Sequence, residues 1–306
     1  MIEGSRDRSC IGRGWPSLRY YEFTSGNNGA PMPRPAPFLA AAACLLGAPL
    51  IAHFGILVPQ KDVIDPGVES SIRLSAAFGH PADGELLGGA APSAVGVVIE
   101  GEHQDLSEHL QLHDEDGKAW WSLDFAISTP GDHIFYLNPT PYWEPAEDIY
   151  IAHYVKTLVT VGDGGEGWQE ALGSEITPAE LVPLTRPNAM CAGNSIRAQV
   201  LYHGQAVAGA MVEVERLHWQ DRSGRALNPP TPLHETQELV SDEHGIISFT
   251  PPASGWWGIS ALIEDEHQEA ITGSALSITH PELGEKAVEV GAVLWFYAYP
   301  LAWADE

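Results

Sequence analysis

Histidine supplies the most promising chemistry in this chain of 306 residues, and the first of its 13 histidines stands at position 53. It sits in "GAPLIAHFGILVP", Gly47 to Pro59, where an Ala-rich apolar run stops at Ala52 and an alternating, strand-like run begins. Cleavage after Ala52 would give His53 a free α-amine beside its imidazole, two nitrogens able to chelate one metal ion. An α-amine with a pKa of about 7.7 yields its proton to a divalent cation at neutral pH. Cleavage after Ala48 would leave His53 an ordinary internal residue.

Two further histidines occupy strand-like surroundings. His80 lies in "FGHP", where a strand ends and the chain turns at Pro81. His153 lies in "YWEPAEDIYIAHYVK", where alternation puts it on one face with Ile149, Ile151 and Val155. An imidazole on an apolar face is either a satisfied core group or a ligand. Ahead of that strand, Glu144, Glu147 and Asp148 could complete a metal shell, orient an imidazole through its second nitrogen, or form an exposed acidic loop. The candidate metal residues are His53, His80, His153, Glu144 and Glu147. His109 and His113 would share a strand face about 13 Å apart, too far for one ion. His267, in "IEDEHQE", reads as part of a solvated acidic loop.

Other chemistries find little footing. No G-x-S-x-G elbow, Walker loop or H-E-x-x-H occurs, and no G-x-G-x-x-G opens a helix. Cys10 and Cys44 precede His53, which leaves Cys191 alone in the remainder and excludes a disulfide or a cysteine-based zinc knuckle there. The 41 acidic against 15 basic residues give a net charge of -26. Such a surface repels nucleic acid and anionic membranes and attracts cations, within a screening length of about 10 Å.

The elements that must position these residues are strands. A chain 44% hydrophobic and 9% aromatic can bury a core. From His53 onward, alternating runs such as "SIRLSAAF", "AVGVVIEG", "AWWSLDFAI" and "HIFYLN" are punctuated by "HPADGE", "HDEDGK", "TPGD" and "GDGGEG". That spacing predicts an all-β chain of two antiparallel β-sandwich domains, an Ig-like one over 53–175 and a second over 193–306. The Pro-rich stretch 176–192 reads as their linker. The second half, with its "YHGQAVAGAMVEVE" hairpin and "SGWWGISAL" strand, resembles Cna-B, carboxypeptidase-regulatory or transthyretin-like modules.

Residues 32–52 have the layout of a cleaved signal peptide: a basic start at Arg34, an apolar stretch and a small residue at Ala52. The apolar stretch is too short and too broken to be a good membrane span, which needs about 20 residues. Residues 1–31 read as a disordered extension or a misassigned start. The expected location is periplasmic or extracellular, with no stable membrane span in the mature chain.

"AHFGILVP", "FGHP", "PGDHIFYLNPTPYWEPAEDIYIAHYVK", "LVPLTRP", "SGWWGISAL" and "VGAVLWFYAYP" occur in this order. Together they resemble the NikK-like family of secreted bacterial proteins. The resemblance implies binding of a divalent transition metal, nickel or cobalt, outside the inner membrane, for delivery to a cobalt/nickel-type ABC transporter. His53, His80 and His153 fall in the matching motifs. Four nitrogens also suit copper or zinc, so ligand type alone does not select the metal. Two other readings stand beside this one: an exported structural or adhesive protein without metal, and a copper histidine-brace oxidase whose tryptophans bind sugar faces.

Overall fold

The computed structural model describes residues 52–219 and 231–301. The expected extension at 1–31 and the leader, Ala52 apart, lie outside the described residues. In chain order the principal strands begin with β1 (Phe54–Pro59), β2 (Ser71–His80), β3 (Ala94–Ile99), β4 (Gln111–Glu115) and β5 (Lys118–Ala126). They continue with β6 (Gly131–Asn138), β7 (Tyr142–Glu144), β8 (Ile149–Val161), β9 (Ala179–Pro183) and β10 (Ile196–Tyr202). Then come β11 (Met211–Arg216), β12 (Gln237–Val240), β13 (Ile246–Phe249), β14 (Gly255–Ile263), the helix α1 (Asp265–Thr272) and β15 (Gly284–Tyr299). His267, expected in a loop, lies on α1.

The chain is all-β, as its alternation predicts, and its strands form three sheets. The first runs β1-β2-β5-β4; the central one runs β12-β11-β14-β15-β8-β6-β3; the third carries β9 beside β10, with β13 on β10's other edge. Most neighbours are antiparallel, but β8 and β15 pair in parallel from Tyr150↔Val288 to Thr157↔Trp295.

That junction joins the two halves of the sequence. Successive residues of β15 point to opposite faces of the central sheet. Val293 and Trp295 therefore enter the core beneath the first sheet, while Leu294 and Phe296 enter the core beneath the third. The two packed-sheet interfaces thus share their middle layer, and the described residues fall in one compact unit.

Residues 176–192 are correspondingly part of the packed structure. They hold β9, whose Glu180 accepts a hydrogen bond from buried Lys156 of β8 at 2.7 Å and from the Leu172 and Gly173 amides at 3.0 Å each. Asn188 donates to the carbonyls of Asp62 and Leu158 at 2.8 and 3.0 Å. Of the prolines here, Pro183 ends β9 within its ladder to β10, opposite Ala198.

One hydrogen bond fixes β1 over the central sheet. Trp295, wholly buried, donates its indole N–H to the Gly55 carbonyl at 2.8 Å. A buried indole N–H needs such a partner, so ring packing and the position of β1 are set together.

Candidate metal centre

The β1–β2 ladder pairs Phe54 with Gly79 and Gly55 with Phe78. One further step in that register sets His53 opposite His80, and their ring centroids are 4.9 Å apart. Both rings lie on the face of the ladder that carries Gly55 and Phe78, because side chains alternate along a strand. Phe78 packs between the imidazoles, 6.0 Å by centroid from His53 and 6.0 Å from His153.

Two glycines make room for His153. A Cβ at Gly55 would stand 2.6 Å from Val155 Cγ2 and 3.1 Å from His153 Cβ, so β1 approaches β8 closely only because that side chain is missing. Gly291 faces His153 across the parallel ladder, and a Cβ there would lie 2.3 Å from the imidazole Cδ2. The ring therefore lies over bare backbone. His153 is 1% exposed and His80 8% exposed, while His53 is half-buried.

Carboxylates flank the three rings. Glu144 comes from β7, which pairs with the start of β8; its Oε1 accepts the Ala146 amide at 2.9 Å and its Oε2 lies 3.4 Å from His53 Nε2. Glu289 of β15 lies with Oε1 3.3 Å from His153 Nε2. Glu85, on the short strand Glu85–Leu86 that pairs with the end of β2, has Oε2 3.5 Å from His80 Nδ1. Exposed Glu147 lies near enough to Glu144 and Glu289 for their charges to add to partial burial in raising its pKa. Asp148 is drawn aside by Lys286, which contacts both its oxygens at 2.7 Å.

The electrostatics follow from this crowding. Burial is the largest effect on His53 and lowers its pKa; His80 and His153 lower it further, against Glu144 and Glu289. Glu289 is held below the usual carboxylate range: burial raises its pKa, but the hydrogen bond and charge of His153 together outweigh that, with help from His53. The depressed pKa favours neutral His53, the form of imidazole that ligates metals.

Two buried ring nitrogens have no hydrogen-bond or ion-pair partner, Nε2 of His80 and Nδ1 of His153, and Nδ1 of His80 has only the 3.5 Å approach of Glu85. Buried polar atoms in native proteins are nearly always satisfied. Ring nitrogens of His133, His218 and His267 are also unmet, and what distinguishes those of His80 and His153 is that they lie beside a third imidazole and among carboxylates. With Nε2 of His153 at Glu289, its Nδ1 is left to bind, the arrangement of a carboxylate–histidine–metal triad. The donors fit a borderline cation that takes imidazole and carboxylate. The three rings are close to one another without forming a chelate. Among the described residues, the group whose ligand atoms all lie within 4.8 Å of one another is Glu264, Glu266 and His267 at the start of α1, where both glutamates are exposed. Gathering the three imidazoles onto one ion requires side-chain rotation.

Of the sequence candidates, His53, His80, His153 and Glu144 come together, and Glu147 stands at the edge. His113 is engaged elsewhere, stacked on Trp120 at 4.1 Å and hydrogen-bonded to Ser122 at 2.8 Å. Sequence reasoning missed Glu289 and Glu85. A faint signal for Glu289 was a lone acid two residues before a glycine within the apolar "VEVGAVLW".

A family model described as a domain of unknown function, DUF4198, matches residues 50–265. No curated protein matches the chain. Among solved structures, the D0-D1 domain of Intimin is 13% identical, with 81% of this chain and 100% of that one covered and a TM-score of 0.23. The fibronectin(III)-like modules of Clostridium thermocellum CbhA are 8% identical, with 80% and 95% covered and a TM-score of 0.20. The Yersinia pseudotuberculosis adhesin InvE is 12% identical, with 79% and 58% covered and a TM-score of 0.22. No helix among the described residues is long and apolar enough to cross a membrane.

Proposed function

The chain belongs to the DUF4198 family, and we propose that it is a periplasmic protein that captures a divalent transition metal and hands it to an uptake transporter. Nickel or cobalt is the preferred cargo, on the NikK-like resemblance of the motifs that carry His53, His80 and His153. One observation carries the reading: three imidazoles from three separate segments converge among carboxylates, with His80 Nε2 and His153 Nδ1 buried and lacking partners. The acidic surface supports it by raising the local concentration of cations.

When bound, the ion would be held by His53, His80 and His153, with Glu144 at the rim and Glu289 orienting His153. Removal of the leader after Ala52 would add the α-amine of His53 as a fourth nitrogen. By intrinsic affinity copper exceeds nickel at such a site, so the cargo is set by supply and by the transporter.

The test is calorimetry with nickel chloride and copper sulfate on protein beginning at His53, against protein with one additional residue before it. Tighter binding by the former supports the full account. Equal binding removes the amine from it. No binding by either ends the metal reading.

A further inference from the structure

A second site lies toward the other end of β1, about 20 Å from His53 at the rise of an extended strand. Here a cavity of about 770 Å³ opens among β1, β2, β5 and the ends of β11, β14 and β15. Five aromatic side chains line it: Trp120, Trp219, Trp256, Tyr297 and Tyr299. Trp120 and Trp219 meet edge to face at 5.4 Å, as do Trp256 and Tyr297 at 5.4 Å and Tyr297 and Tyr299 at 4.8 Å. Such packing turns successive ring planes by large angles. One face of Trp120 is covered by His113, stacked on it at 4.1 Å, which leaves the opposite side of Trp120 and the ring of Trp256 for a ligand. Trp219 is largely buried, its indole N–H donated to Glu115 at 3.2 Å, whereas Trp120, Trp256, Tyr297 and Tyr299 are half-buried.

The cations at this cavity are paired locally. Lys61 is paired with Glu69, and Arg73 bonds both oxygens of Asp124 at 2.7 and 2.8 Å. Asp62 is buried and accepts the Tyr299 hydroxyl and, at 3.0 Å, the Ala189 amide. In a chain of net charge -26, the cations of this cleft are paired and its buried carboxylate is hydrogen-bonded, and its rim carries the exposed amide of Gln60. Half-wet aromatic faces beside hydrogen-bonding side chains fit a ligand with an apolar face and a polar edge. The volume falls within the range of about 300–1,000 Å³ usual for small-ligand sites.

We propose that this cleft binds a neutral oligosaccharide, with Trp120 and Trp256 as stacking platforms and Gln60 as a rim hydrogen-bonding group. The site is independent of the metal centre and stands or falls without it.

The experiment is titration of the purified protein with cellohexaose and with chitohexaose, followed by tryptophan fluorescence and calorimetry, with nickel titrated in parallel. Saturable quenching by at least one sugar is expected. Trp120→Ala and Trp256→Ala should each weaken it roughly three- to tenfold, with nickel binding unchanged. Gln60→Ala, at an exposed position, serves as the variant that leaves the fold undisturbed and should weaken binding about two- to tenfold. Absence of quenching and heat with both sugars at millimolar concentration would overturn the proposal, as would binding that all three variants leave intact.

Discussion

His53 and His80 face each other across the end of the β1–β2 ladder, their ring centroids 4.9 Å apart. This pair is 27 residues apart in sequence and adjacent only because the register Phe54↔Gly79 continues one step beyond the last paired strand residues. His153 reaches the same place from a different sheet, through the gap that Gly55 leaves.

Replacing one ring should separate binding from folding. His80→Ala is expected to weaken nickel binding at least tenfold, and Glu289→Gln roughly 10- to 100-fold through loss of the group that orients His153. Calorimetry reads both, with circular dichroism melts to verify that the variants fold. Wild-type affinity in either variant would remove that residue from the centre.

The depressed pKa of His53 predicts how binding responds to acid. Protons compete with a metal for imidazole only near and below its pKa, so at His53 competition should begin below the ordinary value of about 6.5. The same shift affects stability. A histidine whose folded pKa lies below its unfolded one binds protons more readily when unfolded, so its contribution is present above about pH 6.5 and is lost as pH falls. An NMR titration of the His53 ring in metal-free protein checks this; a midpoint above 6.5 would contradict it.

Glu213 of β11 should produce the opposite dependence at higher pH. It is 5% exposed, and burial first, then the charges of Glu289, Glu215, Glu238 and Glu147, push it up to about 8. A carboxyl with a raised folded pKa binds protons better when folded, so stability falls as pH rises from about 4.5 to 8. Glu213→Gln should therefore raise the Tm at pH 9, by a free energy of up to about 5 kcal/mol, and leave it unchanged at pH 4. Equal shifts at the two pH values would show that ionisation is not the cause.

Gly291→Ala places a methyl group against the His153 ring. Overpacking of this kind costs about 1–3 kcal/mol, and relief by rotating the imidazole would also weaken metal binding. Urea denaturation and nickel calorimetry together distinguish the two effects. Unchanged stability and affinity would mean that the ring does not lie over the glycine.

A fragment covering residues 53–175 lacks β15, the strand that lies between β8 and β14 and supplies Val293 and Trp295 to the first core. It should show no cooperative thermal transition. A sharp transition in that fragment, followed by calorimetry, would establish an independent domain.

The sequence by itself determined the all-β class. Period-two alternation and turn residues act locally and can be read without knowing any partner strand. It also marked His53, His80 and His153, because each interrupts an apolar or strand-ending context where an imidazole must be satisfied or bind something. The tertiary structure alone decided that these rings meet, that Glu289 joins them, and that the two halves share a sheet. Each of those facts depends on strand order and register between distant segments, as in His153↔Gly291 across 138 residues. Local propensity carries no information about such pairings, because many strands could bury the same apolar face. Only the close approaches at Gly55 and Gly291, together with the Trp295 bond to Gly55, leave one arrangement in which His153 fits beneath β1.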